Sequence, residues 1–367
     1  MKSKIMLIGG FLGAGKTTML SALASVLEHR NYRYGLITND QAAGLVDTAF
    51  LTAMGNETRE VSGSCFCCNF PGFESALAEL RMGGCNVILA EPVGSCTDLS
   101  ATILQPLKEQ YTNMYEIAPL AVLADPMRLQ ALCSGEHMEL HESSIYIMKK
   151  QMEEADILVI NKCDLLSEEK RLELQKTASL KFPRAKVLLA SAEKGEGLEQ
   201  LADELLSDES AGKTLACVDY NIYAEGEAVL GWLNLVTQIK SDRETDWSDF
   251  LEVYMKDLKR MFVEKAAAVG HLKLLLSGKD ENSWLLGNLV GNDRNISLRG
   301  KAPVCREVIL TVNARVQMMP EQLADSVISL LEAAEVQNSV KITHEILRQE
   351  CLSPGRPEPT YHYEEVL

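Results

Sequence analysis

Short, uninterrupted apolar runs at residues 5–8, 34–38, 87–90, 120–124, 157–160 and 187–190 punctuate the first half of the chain. They are continuous rather than alternating, which is the pattern of strands buried on both faces of a parallel sheet. The intervals leave room for helices. Two of them carry helical spacing, through Leu20, Leu23, Ala24 and Leu27 in 19–30 and through Leu77 and Leu80 in 73–81. Strand and helix in alternation predict an α/β fold with a mostly parallel sheet covered on both sides. Residues 42–59 have only weak periodicity and read as a mobile connection.

Beyond the acidic, linker-like stretch 203–213 the pattern changes. There, 217–239 looks extended at both ends, 247–269 predicts a long amphipathic helix, and 271–276, 284–290 and 308–312 predict strands. A further helix is expected over 320–334. The organisation read from this is an α/β domain over 1–210, a smaller α+β domain over 211–345 and a proline-containing tail over 346–367. Pro354, Pro357 and Pro359 keep 352–359 out of any helix or central strand. Trp232, Trp247 and Trp284 are most simply core residues of the second domain.

Gly9-Gly10-Phe11-Leu12-Gly13-Ala14-Gly15-Lys16-Thr17-Thr18 follows the first apolar run and opens the first helical stretch. A strand that ends in glycines before a helix can aim successive backbone N–H groups at phosphate oxygens, so the first domain reads as a P-loop NTPase domain. Gly13, Ala14, Gly15, Lys16, Thr17 and Thr18 are the candidate phosphate-binding residues. Lys16 brings a charge to the β- and γ-phosphates, and Thr17 offers a hydroxyl to Mg²⁺. Glu91, at the tip of a strand with Gly94 three residues on, suits a Mg²⁺-bound water and a γ-phosphate sensor. Asp40, at the end of the second strand, is a candidate for the same Mg²⁺ or for the attacking water; a strand-end carboxylate with no catalytic part is the alternative.

Asn161-Lys162-Cys163-Asp164 stands at the end of another buried strand. A carboxylate such as Asp164 accepts from both N1–H and the exocyclic amino group of guanine, whereas adenine presents a lone pair at N1 and no such amino group. Polar pairing of this kind discriminates on the order of 10⁴-fold. Asn161 would hold the loop, Lys162 would lay its stem along the base, and Ser191-Ala192 is placed for a backbone N–H to reach the guanine O6.

Cys65-Phe66-Cys67-Cys68 puts three thiols in four residues. Thiolates bind Zn²⁺, Cu⁺ or Co²⁺. Three of them suit an open site that hands its metal on, or one completed from elsewhere; a redox-sensing dithiol and inert packing cysteines are the competing readings. Cys133, His137 and His141 are four residues apart, but Ser134-Gly135 interrupts the helix they would share.

The charge balance, 36 Lys+Arg against 52 Asp+Glu for a net −16, argues against nucleic acid or an anionic membrane as partner. Ten cysteines, not spaced as a disulfide framework, together with the start of the chain, argue for a reducing cytoplasm.

In this order, the P-loop, Cys-x-Cys-Cys, Glu91-Pro92-Val93-Gly94 and Asn-Lys-x-Asp make the chain resemble the CobW-like branch of the CobW/HypB/UreG GTPases, over about the first 200 residues. The resemblance implies nucleotide binding by Gly13, Gly15, Lys16, Thr17 and Thr18, guanine reading by Asn161 and Asp164, and metal binding by Cys65, Cys67 and Cys68. Where the family has Asn-Glu-Phe-Gly, this chain has Asn39-Asp40-Gln41-Ala42, and its second domain differs from the common one. The function expected is a slow GTPase whose nucleotide state, with Mg²⁺, controls grip on zinc or cobalt and its delivery to a client metalloprotein or cofactor-pathway protein. A GTP-dependent reactivator of a corrinoid or other metalloenzyme, with the thiols as redox sensor, is the alternative.

Overall fold

The computed structural model describes residues 2–40, 46–278, 283–337 and 341–367, apart from the side chains of Ala53 and of residues 335–337. The chain forms two compact units. One comprises residues 1–41, 55–226 and 356–367, the other residues 42–54 and 227–355.

The first unit is built on strands β1 (Ser3–Gly10), β2 (Tyr34–Asn39), β3 (Thr58–Val61), β4 (Val87–Glu91), β5 (Tyr115–Ile117), β6 (Ala121–Ala124), β7 (Ile157–Ile160) and β8 (Lys186–Leu189). Their order is β3-β2-β4-β1-β6-β7-β8, with β5 pairing the start of β1, and every pairing is parallel. β4, β6 and β7 are buried at every position, as their unbroken apolar runs require. The helices of this unit include α1 (Lys16–His29), α3 (Phe70–Met82), α4 (Gln105–Gln110), α5 (Pro126–Ser134), α6 (Glu142–Glu153), α7 (Glu168–Lys181) and α8 (Leu198–Leu206), while α2 (Val46–Ala53) belongs to the second unit. In a parallel sheet all strands present their carboxyl ends on one edge, where open α/β sheets bind ligands. Here that edge carries Asp40, Glu91, the turn after β1, Asp125, Asn161 and Ser191.

The second unit is a six-stranded antiparallel sheet, in the order β12-β11-β10-β13-β9-β14. Its strands are β9 (Gly231–Asp246), β10 (Val269–Ser277), β11 (Trp284–Leu289), β12 (Ser297–Lys301), β13 (Val304–Val316) and β14 (Ile342–Leu352). Helix α9 (Tyr220–Ala228) leads into it. Helices α10 (Ser248–Glu264) and α11 (Pro320–Gln337) pack Phe250, Tyr254, Leu258, Phe262, Leu323 and Val327 into one core with Leu272, Leu274, Val312 and Ala314. Trp247 is fully buried there and donates its indole N–H to Cys305 O at 3.0 Å.

Several expectations meet a different structure. The run 42–59 is no simple connection, because it contains α2 and β3; its residues 42–45 lie outside the described residues. Val46, Phe50 and Leu51 give α2 a buried face, Phe50 meets the Trp284 ring edge-on at 5.2 Å, and Val46 N donates to Asn313 Oδ1 at 2.7 Å. Trp284 itself is only partly buried. The chain's passage between units falls at 226/227 rather than near 210, and 346–352 is β14 rather than tail, since edge pairing with β9 orders it. Gly135 ends α5 in a left-handed conformation and His141 caps α6, so Cys133, His137 and His141 share no helix.

Candidate functional site

The turn after β1 owes its shape to glycine. Gly10, Gly13 and Gly15 all have positive φ, at 131°, 77° and 94°. A Cβ on Gly10 would stand 2.5 Å from Leu123 O, and one on Gly15 the same distance from Asn161 Nδ2, so the cradle has no space for side chains. Gly15 caps α1, whose first turn therefore presents Lys16, Thr17 and Thr18 with backbone amides not satisfied inside the helix. Lys16 and Thr17 are buried, Thr18 half-buried. Lys16 Nζ donates to Gly10 O at 2.9 Å and stands 3.9 Å from Glu91 Oε1, which also accepts from Thr17 Oγ1 at 3.2 Å. A buried cation, a hydroxyl and a carboxylate thus converge at a helix N-terminus. This donor set fits a polyphosphate with Mg²⁺, Thr17 and Glu91 being the residues to hold the metal.

Asn161 and Lys162 fasten the base end of the site to this loop. Asn161 Nδ2 donates to Ala14 O at 2.8 Å, and Lys162 Nζ donates to Gly13 O at 2.7 Å. Lys162 Nζ also pairs with Asp125 Oδ2 at 2.9 Å. Burial pushes the Asp125 carboxyl up, but the charge and hydrogen bond of Lys162, with Arg128, outweigh it and hold that carboxyl below its usual range. Asp164 Oδ1 accepts from Ser191 Oγ at 2.6 Å. The two backbone amides expected to face the base are engaged within the protein: Ser191 N donates to Glu196 O at 2.9 Å and Ala192 N to Asn161 Oδ1 at 3.1 Å.

At the other end of the same edge stands the thiol loop. The sulfurs of Cys65, Cys67 and Cys68 all lie within 4.8 Å of one another, with Cys65 to Cys67 at 3.1 Å and Cys67 to Cys68 at 3.8 Å. Cys65 and Cys67 are buried, Cys68 partly so. Asn39, the last residue of β2, grips this loop: its Nδ2 donates to Val61 O and Ser64 O, both at 2.8 Å, and its Oδ1 accepts from Phe66 N at 2.8 Å. Asp40, next to it, is buried. From the far end of the chain, Thr360 N donates to Cys67 O at 2.8 Å, Thr360 Oγ1 to Cys68 O at 3.3 Å, and the Glu358 N–H to the Cys68 sulfur. Tyr361 seats its ring edge-on against Phe70 at 5.0 Å.

Residues 4–188 match the family described as CobW/HypB/UreG, nucleotide-binding domain. The chain belongs to the CobW/HypB/UreG family. Among its relatives, the zinc chaperone YjiA of Escherichia coli (strain K12) is 25% identical over 171 residues, 46% of this chain and 52% of that protein. The zinc chaperone CobW of Pseudomonas aeruginosa is 26% identical over 223 residues, 53% and 58% of the two. The chain therefore spans about half the length of the relatives it matches. The crystal structure of HypB from Helicobacter pylori in complex with nickel gives a TM-score of 0.40 at 18% identity, covering 55% of this chain and 85% of that one.

The three cysteines fall within four residues, and their electrostatics follow from crowding. Hydrogen bonds from Cys67, Cys68 and Cys96 hold the Cys65 thiol well below its ordinary value, whereas bonding to Cys65 raises Cys67, and Cys68 to about 11. One sulfur thus ionises more readily than the neighbours that bond to it, which are held protonated. Cys96, Asp125, Arg128 and the strap at 358–363 carry no signal in the sequence, and Asn39, expected at the nucleotide end of its strand, holds the thiol loop instead. Arg128 Nη1 reaches Leu12 O at 2.5 Å, yet nothing in the spacing from Leu12 announces it.

Proposed function

We propose that the chain is a GTP-binding and GTP-hydrolysing metallochaperone, in which nucleotide state governs the binding of zinc or cobalt at Cys65, Cys67 and Cys68 and its delivery to a client protein. One observation carries this reading: the phosphate loop, Glu91 and the thiol loop lie at the carboxyl ends of β1, β4 and β3 in one sheet, with Asn39 at the end of the intervening β2 tying the thiols to it. A γ-phosphate with Mg²⁺ at Thr17 and Glu91 then bears on the strand ends that shape the thiol loop. Relatives named zinc chaperones support the same reading. Asp164 would select guanine, and Lys16 would neutralise the charge that develops on the transferred phosphoryl group. A coupling of about 1–3 kcal/mol between the sites suffices for directional transfer.

Titration of Zn²⁺ and Co²⁺ into the protein, held with GDP or with a non-hydrolysable GTP analogue, tests it. Different affinities in the two states are expected, with binding lost in Cys67→Ser. Equal affinities would remove the coupling, and an unchanged mutant would remove the site. The short Cys65 to Cys67 separation, 3.1 Å, favours one second reading, a GTP-dependent chaperone of a metalloenzyme whose thiols sense redox state. Protein purified under reducing conditions without metal, but forming that disulfide on mild oxidation, would decide for it.

A further inference from the structure

Cys96 lies in the turn that follows β4, two residues after Gly94. Its side chain is 1% exposed, and its thiol neighbours those of Cys65 and Cys67 and shifts both. The turn is held from two sides: Cys96 N donates to Val93 O at 2.9 Å, and the buried Gln151 of α6 donates its amide to Gly94 O at 3.0 Å and to Cys96 O at 2.7 Å. The same turn is packed onto the phosphate loop, where a Cβ on Gly94 would meet Leu12 Cδ2 at 2.6 Å and Lys16 Nζ at 3.1 Å.

Four sulfurs around a single zinc, each about 2.3 Å from it, stand roughly 3.8 Å apart. The thiol pairs here, at 3.1 and 3.8 Å and all three within 4.8 Å, already have the spacing for one ion and are too close for a four-iron cluster. Three thiols of one short loop fill three corners of a tetrahedron. The fourth corner is open, and Cys96, outside the tight group of three, neighbours it on the side of Cys65 and Cys67.

We propose that Cys96 is the fourth ligand of a mononuclear tetrathiolate site for zinc or cobalt(II), and that it is the ligand through which nucleotide state is felt. This rests on the metallochaperone reading of Cys65, Cys67 and Cys68. The turn at Gly94 touches both Leu12 and Lys16, so a terminal phosphate that draws Lys16 away from Gly10 O displaces the turn's neighbour and shifts the Cys96 sulfur relative to the other three. With all four sulfurs in reach the site closes around its ion. With Cys96 withdrawn it has three ligands and an open position, the arrangement from which a metal passes to an acceptor.

The test uses the reduced full-length chain, with Co²⁺ or Zn²⁺ alone as probe. X-ray absorption of the zinc-loaded wild type should count four sulfurs in one of the two nucleotide states, a measurement that needs no variant to fold. Cys96→Ser should lower the thiolate-to-cobalt charge-transfer absorbance per bound ion by about a quarter and abolish the difference in affinity between GDP and the GTP analogue. Cys85→Ser, which removes a buried thiol elsewhere, should change neither. Three sulfurs in both states, or full charge-transfer intensity in Cys96→Ser, would overturn the proposal and leave the three-thiol reading standing. A wild-type chain that takes up no cobalt would overturn both.

Discussion

The base end and the thiol end of the sheet's carboxyl edge are assembled in opposite ways. At the base end, the motif residues make the positioning bonds themselves: Asn161 and Lys162 reach straight to the carbonyls of Ala14 and Gly13. At the thiol end, the cysteines are held by residues outside the cysteine motif: Asn39 from β2, Gln151 from α6 through Cys96, and Thr360, which is 292 positions from Cys68. A site that carries its own fastenings tolerates change in its surroundings. One fastened by distant segments is sensitive to all of them, which suits the change of grip proposed for the thiols.

The comparison can be broken first at the base end. Asp164→Ala should cut the preference for GDP over ADP on the order of 10³-fold, because in the proposed role that carboxylate pairs only with a guanine edge; competition between the two nucleotides measures it, with metal affinity unaltered. Lys16→Ala should weaken nucleotide binding on the order of 10²-fold, the value of one charge-assisted bond to phosphate. Zinc affinity without nucleotide should change far less in that variant, since Lys16 Nζ bonds Gly10 O and stands by Glu91. Asn39→Ala acts at the opposite end. It removes three hydrogen bonds from the thiol loop, so zinc affinity in a chelator competition should fall about tenfold while GDP affinity is kept.

The smallest effect concerns pH. Glu154 is fully buried beneath the Cys96 turn and accepts from Ser100 N at 2.9 Å and Thr97 Oγ1 at 3.3 Å. Burial, and then the nearby Asp98 carboxylate, push its carboxyl up to about 8. Asp98 is itself raised by burial, although Tyr220 OH at 2.9 Å and His362 Nε2 at 3.0 Å hydrogen-bond to it. The unfolded chain gives up the Glu154 proton near pH 4.5, whereas the folded chain keeps it to about 8. Stability should therefore fall with rising pH across that window, by at most about 1.4 kcal/mol per unit from this group, and level off above it. Denaturant unfolding from pH 5 to 8 should show a shallower slope for Glu154→Gln than for the wild type. An identical slope would assign the pH dependence to other groups.

The same contrast explains what could be read from the sequence. The buried parallel strands and the P-loop were legible because continuous apolar runs and glycine spacing are local signals, and Trp247 and Trp232 are buried as their size suggests. Strand β12 was not, because Ser297-Leu298-Arg299-Gly300-Lys301 has no buried face and exists only by pairing with β11. Strand β14, mostly exposed at the opposite edge, was missed for the same reason. Helix α2 has just eight residues, and its buried Val46, Phe50 and Leu51 answer to β10 and β13, more than 200 residues on. Cys65, Cys67 and Cys68 announced themselves by crowding. Cys96 had no such signal, as it follows Cys68 by an interval that matches no ligand spacing and reaches the cluster only because β4 lies beside β2.

The strap over the thiols sets a clock. Of the three clustered cysteines Cys68 alone is partly exposed, and Glu358 and Thr360 are bonded across it and its neighbour. In the proposed metal site, an ion seated there would leave at the rate at which residues 358–363 peel away, whatever its equilibrium affinity. Retention is then a matter of lifetime, and a client that pries up this short segment would shorten that lifetime without weakening a single metal–sulfur bond.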